Sequence, residues 1–163
     1  MNIRLATSAD AENIAQIHSD SWNFTYSNNV SSDVIEKYTS RFQAMWCKML
    51  ENNTDSHYVI EREGNIVGFL TLTPSRDDDL NESCEIVALY LSPEHIGKGF
   101  GRQAMDWAKE EVQRRGYGKI SLWVLEKNLR ARRFYEKSGF VSDGKTKPSG
   151  LGDTIEIRYV MNK

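Results

Sequence analysis

Three prolines, two cysteines and three histidines in 163 residues leave little room for several classes of protein. Cys47 and Cys84 lie far apart and form no CxxC pair, so neither a disulfide framework nor a zinc site is expected, and a reducing cytoplasm suits the chain best. The opening MNIRLATSADAENIAQ lacks the apolar core of a signal peptide, and no apolar run approaches the length of a bilayer span, so no membrane partner is expected. No charge predominates: 21 Lys and Arg stand against 23 Asp and Glu, and a net charge of -2 with a pI near 5.9 argues against a general nucleic-acid binder. Linkers, repeats and low-complexity segments are also missing. What remains, 39% hydrophobic and 27% charged, is the composition of one soluble globular domain spanning 1–163.

The hydrophobic patterning places elements along that domain. NIRLA reads as a short strand and TSADAENIAQIH as a helix with a Thr or Ser cap, Ala11, Ile14 and His18 sharing one side. The segment SWNFTYSNNVSSDVIEKY carries an aromatic cluster and then a polar turn into a helix near Ser32. RFQAMWCKMLEN aligns Phe42, Met45, Trp46 and Met49 on one helical stripe. SHYVIEREGNIVGFLTLTP is a hairpin turning at Glu63-Gly64-Asn65, after which the acidic SRDDDLNES loops out. CEIVALYLSP is an almost unbroken apolar run, as expected of a strand covered on both faces. A helix follows from Gly99 to Arg115, then the strand KISLWVLE, the helix NLRARRFYEKSG capped by Asn128, and the strand pair FVSDGKTK and DTIEIRYVMN. The order β-α-α-β-β-β-α-β-α-β-β implies a mixed, largely antiparallel sheet flanked by helices, α/β or α+β by class. Strand edges near the C-terminus could pair in a homodimer.

Between the apolar strand and the helix lies SPEHIGKGFGRQAM, with Gly97, Gly99 and Gly101 at alternate positions. A glycine-rich turn opening a helix is an anion site, because the first helical amides lack carbonyl partners and the dipole's positive end points outward. The P-loop pattern fails, since Gly99 follows Lys98 where a Ser or Thr would hold magnesium. Gly99-x-Gly101-x-x-Ala104 does satisfy a dinucleotide fingerprint, with Glu126 placed as a ribose-binding acid, which would make the protein a nucleotide-dependent oxidoreductase. That fold begins with such a unit and builds several βα repeats after it, whereas here only 62 residues follow Gly101 and they end in an antiparallel pattern.

A third reading rests on two motifs in order. Ile96-Gly97-Lys98-Gly99-Phe100-Gly101 resembles the Q/R-x-x-G-x-G/A loop of the GCN5-related N-acetyltransferases, with Ile96 where that family usually has Gln or Arg. Asn128 to Phe140, NLRARRFYEKSGF, resembles the same family's N-x-x-A-x-x-F-Y-E-K-x-G-F segment, and CEIVALYLSP its strand before the loop. The likeness is strong from about Glu85 to Phe140, extends more weakly to the first β-α unit, and is loose elsewhere. It implies an acyl-CoA N-acyltransferase fold, acetyl-CoA as cosubstrate, and a small-molecule or peptide amine as acceptor.

Such a transfer needs a neutral amine, a polarised thioester carbonyl and a proton for the departing thiolate. Amines with pKa near ~10.4 are almost wholly protonated at neutral pH, which makes a base useful. Glu85, at the head of an apolar strand, is the candidate, the bland alternative being a solvated or salt-bridged strand-end carboxylate. Asn128, Ala131 and Tyr135 share one helix face. The resemblance makes Tyr135 the proton donor to the thiolate, against packing in the core as the structural alternative. It also assigns Asn128 to the pantetheine region, alongside its capping role. The resemblance further implies that main-chain groups at Leu89 and Leu91, which share one side of their strand, pair with pantetheine as an added strand. Lys98 and Arg102 could reach phosphates or be plain surface charges. Arg130, Arg132 and Arg133 read as a solvated basic face, with the 3'-phosphate as their functional option. His18 reads as a core histidine, Cys84 as a buried apolar residue, and Trp22, Phe24 and Tyr26 as a pocket lining or a loop anchor. A coenzyme-binding sensor without turnover is the remaining alternative.

Overall fold

The computed structural model describes residues 1–27, 30–51 and 56–162, so the polar turn at Asn28 and Asn29 and the helix end at Asn52 lie outside the described residues. Seven strands form one sheet in the order β1-β2-β3-β4-β5-β7-β6. They are β1 (Asn2–Leu5), β2 (His57–Arg62), β3 (Asn65–Pro74), β4 (Ser83–Leu91), β5 (Lys119–Leu125), β6 (Val141–Pro148) and β7 (Ile155–Asn162). The helices are α1 (Ala11–Tyr26), α2 (Ser32–Thr39), α3 (Phe42–Glu51), α4 (Phe100–Arg114) and α5 (Leu129–Lys137). Three helices therefore separate the first two strands, one more than the sequence order counts. Only β4 and β5 pair in parallel in the described registers, Ser83–Ile86 against Lys119–Leu122. The largely antiparallel sheet flanked by helices is the expected class.

Contacts divide the chain into two compact units. The first comprises Met1–Thr71 and Ala88–Ala104. Its helix α1 starts from a 3-10 turn, Ser8–Asp10, where Asp10 Oδ2 accepts from the backbone N–H of Thr7 at 2.7 Å and its hydroxyl at 2.9 Å. Arg4 of β1 forks onto the same carboxylate and holds it down to about 2. The helix then runs to Tyr26, so the aromatic stretch belongs to it: Trp22 and Tyr26, one turn apart, face inward, while Phe24 is exposed. The core packs Ile14, Ile17, Phe42, Trp46, Val59 and Phe69. His18 lies within it, stacked on Phe42 with ring centres 3.7 Å apart, and Trp46 donates its indole N–H to His18 Nδ1 at 3.2 Å. Burial drops the His18 pKa to about 3, so its ring is neutral at neutral pH. The β2–β3 hairpin turns at Glu63 and Gly64, both with positive φ, as a two-residue turn requires. A Cβ on Gly68 would stand 2.5 Å from the carbonyl oxygen of Tyr90, which explains glycine inside that strand.

The second unit comprises Leu72–Val87 and Met105–Lys163. Here α4 buries Met105, Ala108 and Val112 on one helical stripe, and Gly116 stops it at φ 86°. Ile120, Leu122, Val124, Phe140 and Tyr159 are buried with them. The strand β4 departs from expectation: Ser83 to Ile86 are buried, whereas Val87 is 39% exposed and the residues beyond are half-buried. Two-sided cover holds for its first half alone. No described helix is long and apolar enough to cross a membrane.

Candidate functional site

In the first unit, the end of β4 is fixed from both sides. Ser92 donates its backbone N–H to the Val67 carbonyl at 2.9 Å, and Ser21 of α1 donates its hydroxyl to the Leu91 carbonyl at 2.7 Å. Leu89 and Leu91 share a side of the strand, as expected, and pack with Ile60, Val67 and Ala104. One lone pair of the Leu91 carbonyl is therefore already used. A 3-10 turn, Pro93–His95, follows, in which Ser92 Oγ and His95 Nδ1 are 2.7 Å apart.

Ile96 is half-buried, and then the chain turns through Gly97 at φ 80° and Gly99 at φ 89°, a region closed to side chains without strain. A Cβ built on either glycine meets nothing within 4 Å, so conformation and not crowding calls for glycine. Left-handed residues at alternate positions are a backbone pattern found in anion-binding nests, and the amides of Phe100 and Gly101 at the head of α4 have no intrahelical carbonyl to meet. Phe100 anchors this head: it is buried against His95, ring centres 5.5 Å apart, with the Arg62 guanidinium 5.2 Å from its ring. Lys98 and Arg102 are exposed beside the loop.

In the second unit, Asn128 caps α5, its side-chain oxygen accepting from the Ala131 N–H at 3.1 Å, which leaves its amide N–H donors for other partners. Tyr135 is half-buried between Phe134 and Phe140, edge-on to both at 5.2 and 6.0 Å. Arg132 is no solvated cation: it donates to the Tyr159 hydroxyl at 3.1 Å and the Glu126 carbonyl at 3.0 Å, while Tyr159 donates to Glu136 Oε1 at 2.7 Å. These bonds bind α5 to β7. Arg130 and Arg133 are exposed.

Glu85 is 1% exposed, and its carboxylate lies in the grip of Arg76. Oε2 accepts the Arg76 backbone N–H at 3.3 Å and its Nε–H at 3.0 Å, and Oε1 accepts from the terminal nitrogen. Oε1 keeps room for a further donor, since a carboxylate has about four acceptor positions. The bond from the Ser75 N–H to the Ser83 carbonyl sets Thr73 opposite Glu85, and the parallel register sets Ser121 on its other flank. Both hydroxyls, Thr73 Oγ1 and Ser121 Oγ, are buried without a partner among the described residues. A buried carboxylate flanked by two unsatisfied hydroxyls is a polar row in an apolar sheet, where one would look for water or ligand.

The acidic loop does not simply loop out. Asp77 accepts the Trp123 indole N–H at 2.9 Å, and Arg158, 3% exposed, forks onto Asp79 and reaches Asp143. Arg158 holds the Asp79 carboxyl down to about 2. No spacing in the sequence announces this cluster, because its members come from β5, β6, β7 and a loop. Cys84 is buried, which pushes its thiol up to about 11 and makes it a poor nucleophile.

The acetyltransferase (GNAT) family profile matches residues 12–140. Along its whole length the chain is 27% identical to an uncharacterised N-acetyltransferase of Bacillus subtilis, YuaI, of which 99% is covered. It is 25% identical to a spermidine N(1)-acetyltransferase of Thermoplasma acidophilum, with 86% of this chain and 88% of that protein aligned. Among solved structures, the PaiA N-acetyltransferase of Thermoplasma acidophilum in complex with coenzyme A matches with a TM-score of 0.82 at 20% identity, covering 99% of this chain and 98% of that one, a likeness of fold.

Proposed function

The chain belongs to the acetyltransferase (GNAT) family, and from this premise we propose that it is an acetyl-CoA-dependent N-acetyltransferase acting on a primary amine of a small molecule or peptide. The observation that carries the reading is the loop Ile96 to Gly101, where two left-handed glycines lead into the start of a helix, an arrangement that suits a pyrophosphate. Bound there, acetyl-CoA supplies the activated acyl group. Lys98 and Arg102 add positive charge at the loop, and main-chain groups of Leu89 and Leu91 extend the binding along β4. The free Asn128 amide hydrogens serve the pantetheine arm.

The chain's own part in the chemistry is to position the reactants and move two protons. The acceptor nitrogen forms its bond to the acyl carbon as the carbon–sulfur bond breaks. Glu85 Oε1, with its remaining acceptor position, takes the proton lost by the nitrogen, directly or through a water bound in the row of Thr73 and Ser121. The Tyr135 hydroxyl delivers a proton to the departing sulfur. Support for these roles comes from the buried site of Glu85 and from the place of Tyr135 on the face of α5 that begins at Asn128.

The test is acetyl-CoA-dependent thiol release across a panel of amines, with product mass excluding acylation of Cys47 or Cys84. Turnover with one amine class, reduced about 100-fold in Tyr135→Phe while coenzyme binding persists, supports the assignment. Coenzyme binding without release from any amine would make the chain a sensor instead.

A further inference from the structure

The inference concerns how the base at Glu85 is kept in its working state, and it rests on the acetyltransferase reading. Burial alone drives a carboxyl toward its neutral form, in which it cannot accept a proton, whereas a guanidinium in contact favours the ionised form. Glu85 meets both conditions: its side chain is 1% exposed and is paired with Arg76, whose own side chain is 60% exposed. An arginine so exposed could extend into water and keep its rotamer freedom.

Arg76 is instead delivered to Glu85 by the backbone that carries it. Its backbone N–H and its Nε–H both donate to Oε2, and its terminal nitrogen donates to Oε1. The loop between β3 and β4 is tied down on either side of it. Before it, the Ser75 N–H donates to the Ser83 carbonyl at 2.8 Å; after it, Asp77 accepts the Trp123 indole N–H of β5 at 2.9 Å. Further on, Asp79 accepts from both terminal nitrogens of the buried Arg158 of β7, at 2.6 and 2.7 Å. All of these residues belong to the second unit.

The hydroxyls of the polar row are left over. Thr73 Oγ1 and Ser121 Oγ are buried without a partner among the described residues, although either could donate to a carboxylate. A pair that served stability alone would use them. Left open beside a charged carboxylate, they suit a proton in transit. The other titratable groups about the pair are Asp77 on the same loop, Glu156 on β7 and the Cys84 thiol next along β4, so Arg76 is the cation among them.

We propose that Arg76 is a positioning residue of the acetyl transfer: it holds the Glu85 carboxylate charged and fixed beside Thr73 and Ser121, ready for the proton of the acceptor nitrogen. That proton passes from nitrogen to Glu85, and the guanidinium keeps its own protons throughout.

Infrared titration of the full chain, with the Glu85 band identified by its absence in Glu85→Gln, reads the charge of this one carboxyl. In Arg76→Gln its protonation midpoint is expected to rise by about one to three pH units, and in Arg76→Lys by less. Arg114→Gln, the same charge change on α4, should not move it. Thiol release from acetyl-CoA gives the second readout: the acid limb of kcat/KM should rise with the midpoint. Turnover lost in Arg76→Gln at neutral pH should return at higher pH, which a misfolded variant would not show. A midpoint that stays in place in Arg76→Gln, an acid limb that does not follow it, or faster turnover in that variant would overturn the proposal. A midpoint that moves without thiol release from any amine would instead count against the acetyltransferase reading.

Discussion

His18 and Arg158 are both buried polar side chains, one in each unit, and the chain treats them in opposite ways. His18 is surrounded by rings, Phe42 stacked on it and Trp22, Trp46, Phe69 and Tyr90 about it, and the Trp46 indole N–H donates to its Nδ1. Its charge is suppressed. Arg158 keeps its charge and gathers carboxylates from Asp77, Asp79 and Asp143 around it. The core around His18 thus excludes water by removing charge, whereas the sheet face around Arg158 keeps charges by pairing them.

Three changes would break or sharpen this contrast. Phe42→Ala removes the ring stacked on His18 and leaves a cavity, and it should lower unfolding free energy by about 3–5 kcal/mol in urea denaturation. A smaller loss would mean that the aromatic core collapses around the gap. Arg158→Met should cost less, near the lower end of ~3–5 kcal/mol, because its carboxylate partners are partly exposed and can rehydrate. Added salt should recover part of that loss and none of the first. The smallest effect concerns pH. A histidine whose folded pKa is about 3, below the ordinary 6.5, contributes stability that is complete above 6.5 and lost as pH falls toward 3. Between pH 7 and pH 5 the wild type should lose about 2 kcal/mol that His18→Phe does not lose. Parallel profiles would show that His18 is protonated within the fold.

The legible parts of this molecule are those with a local period or a local constraint. The stripe of α4, the hairpin at Gly64, the cap at Asn128 and the turn at Gly97 and Gly99 all depend on neighbours within a few residues. The aromatic stretch after His18 is less legible, because a cluster of rings fits a pocket lining or a loop anchor until the partner rings on α3 are known. The charged cluster is a different matter. Asp77, Asp79, Asp143 and Arg158 look like ordinary surface residues in the sequence, and only the pairing of β5, β6 and β7 makes one group of them. The pair Arg76 and Glu85 shows the same limit: a buried strand-end glutamate is foreseeable, its guanidinium partner nine residues earlier is not.

The central claim is that the Gly97–Gly101 loop holds the pyrophosphate of acetyl-CoA, and direct titration tests it. Acetyl-CoA and NAD should each be titrated into the wild type and Gly99→Ala, whose methyl group meets open space but strains a backbone at φ 89°. Binding of acetyl-CoA and not NAD, weakened about tenfold in the variant by roughly 1–2 kcal/mol of strain, is the predicted result. No binding of acetyl-CoA, a preference for NAD, or undiminished affinity in Gly99→Ala would contradict it.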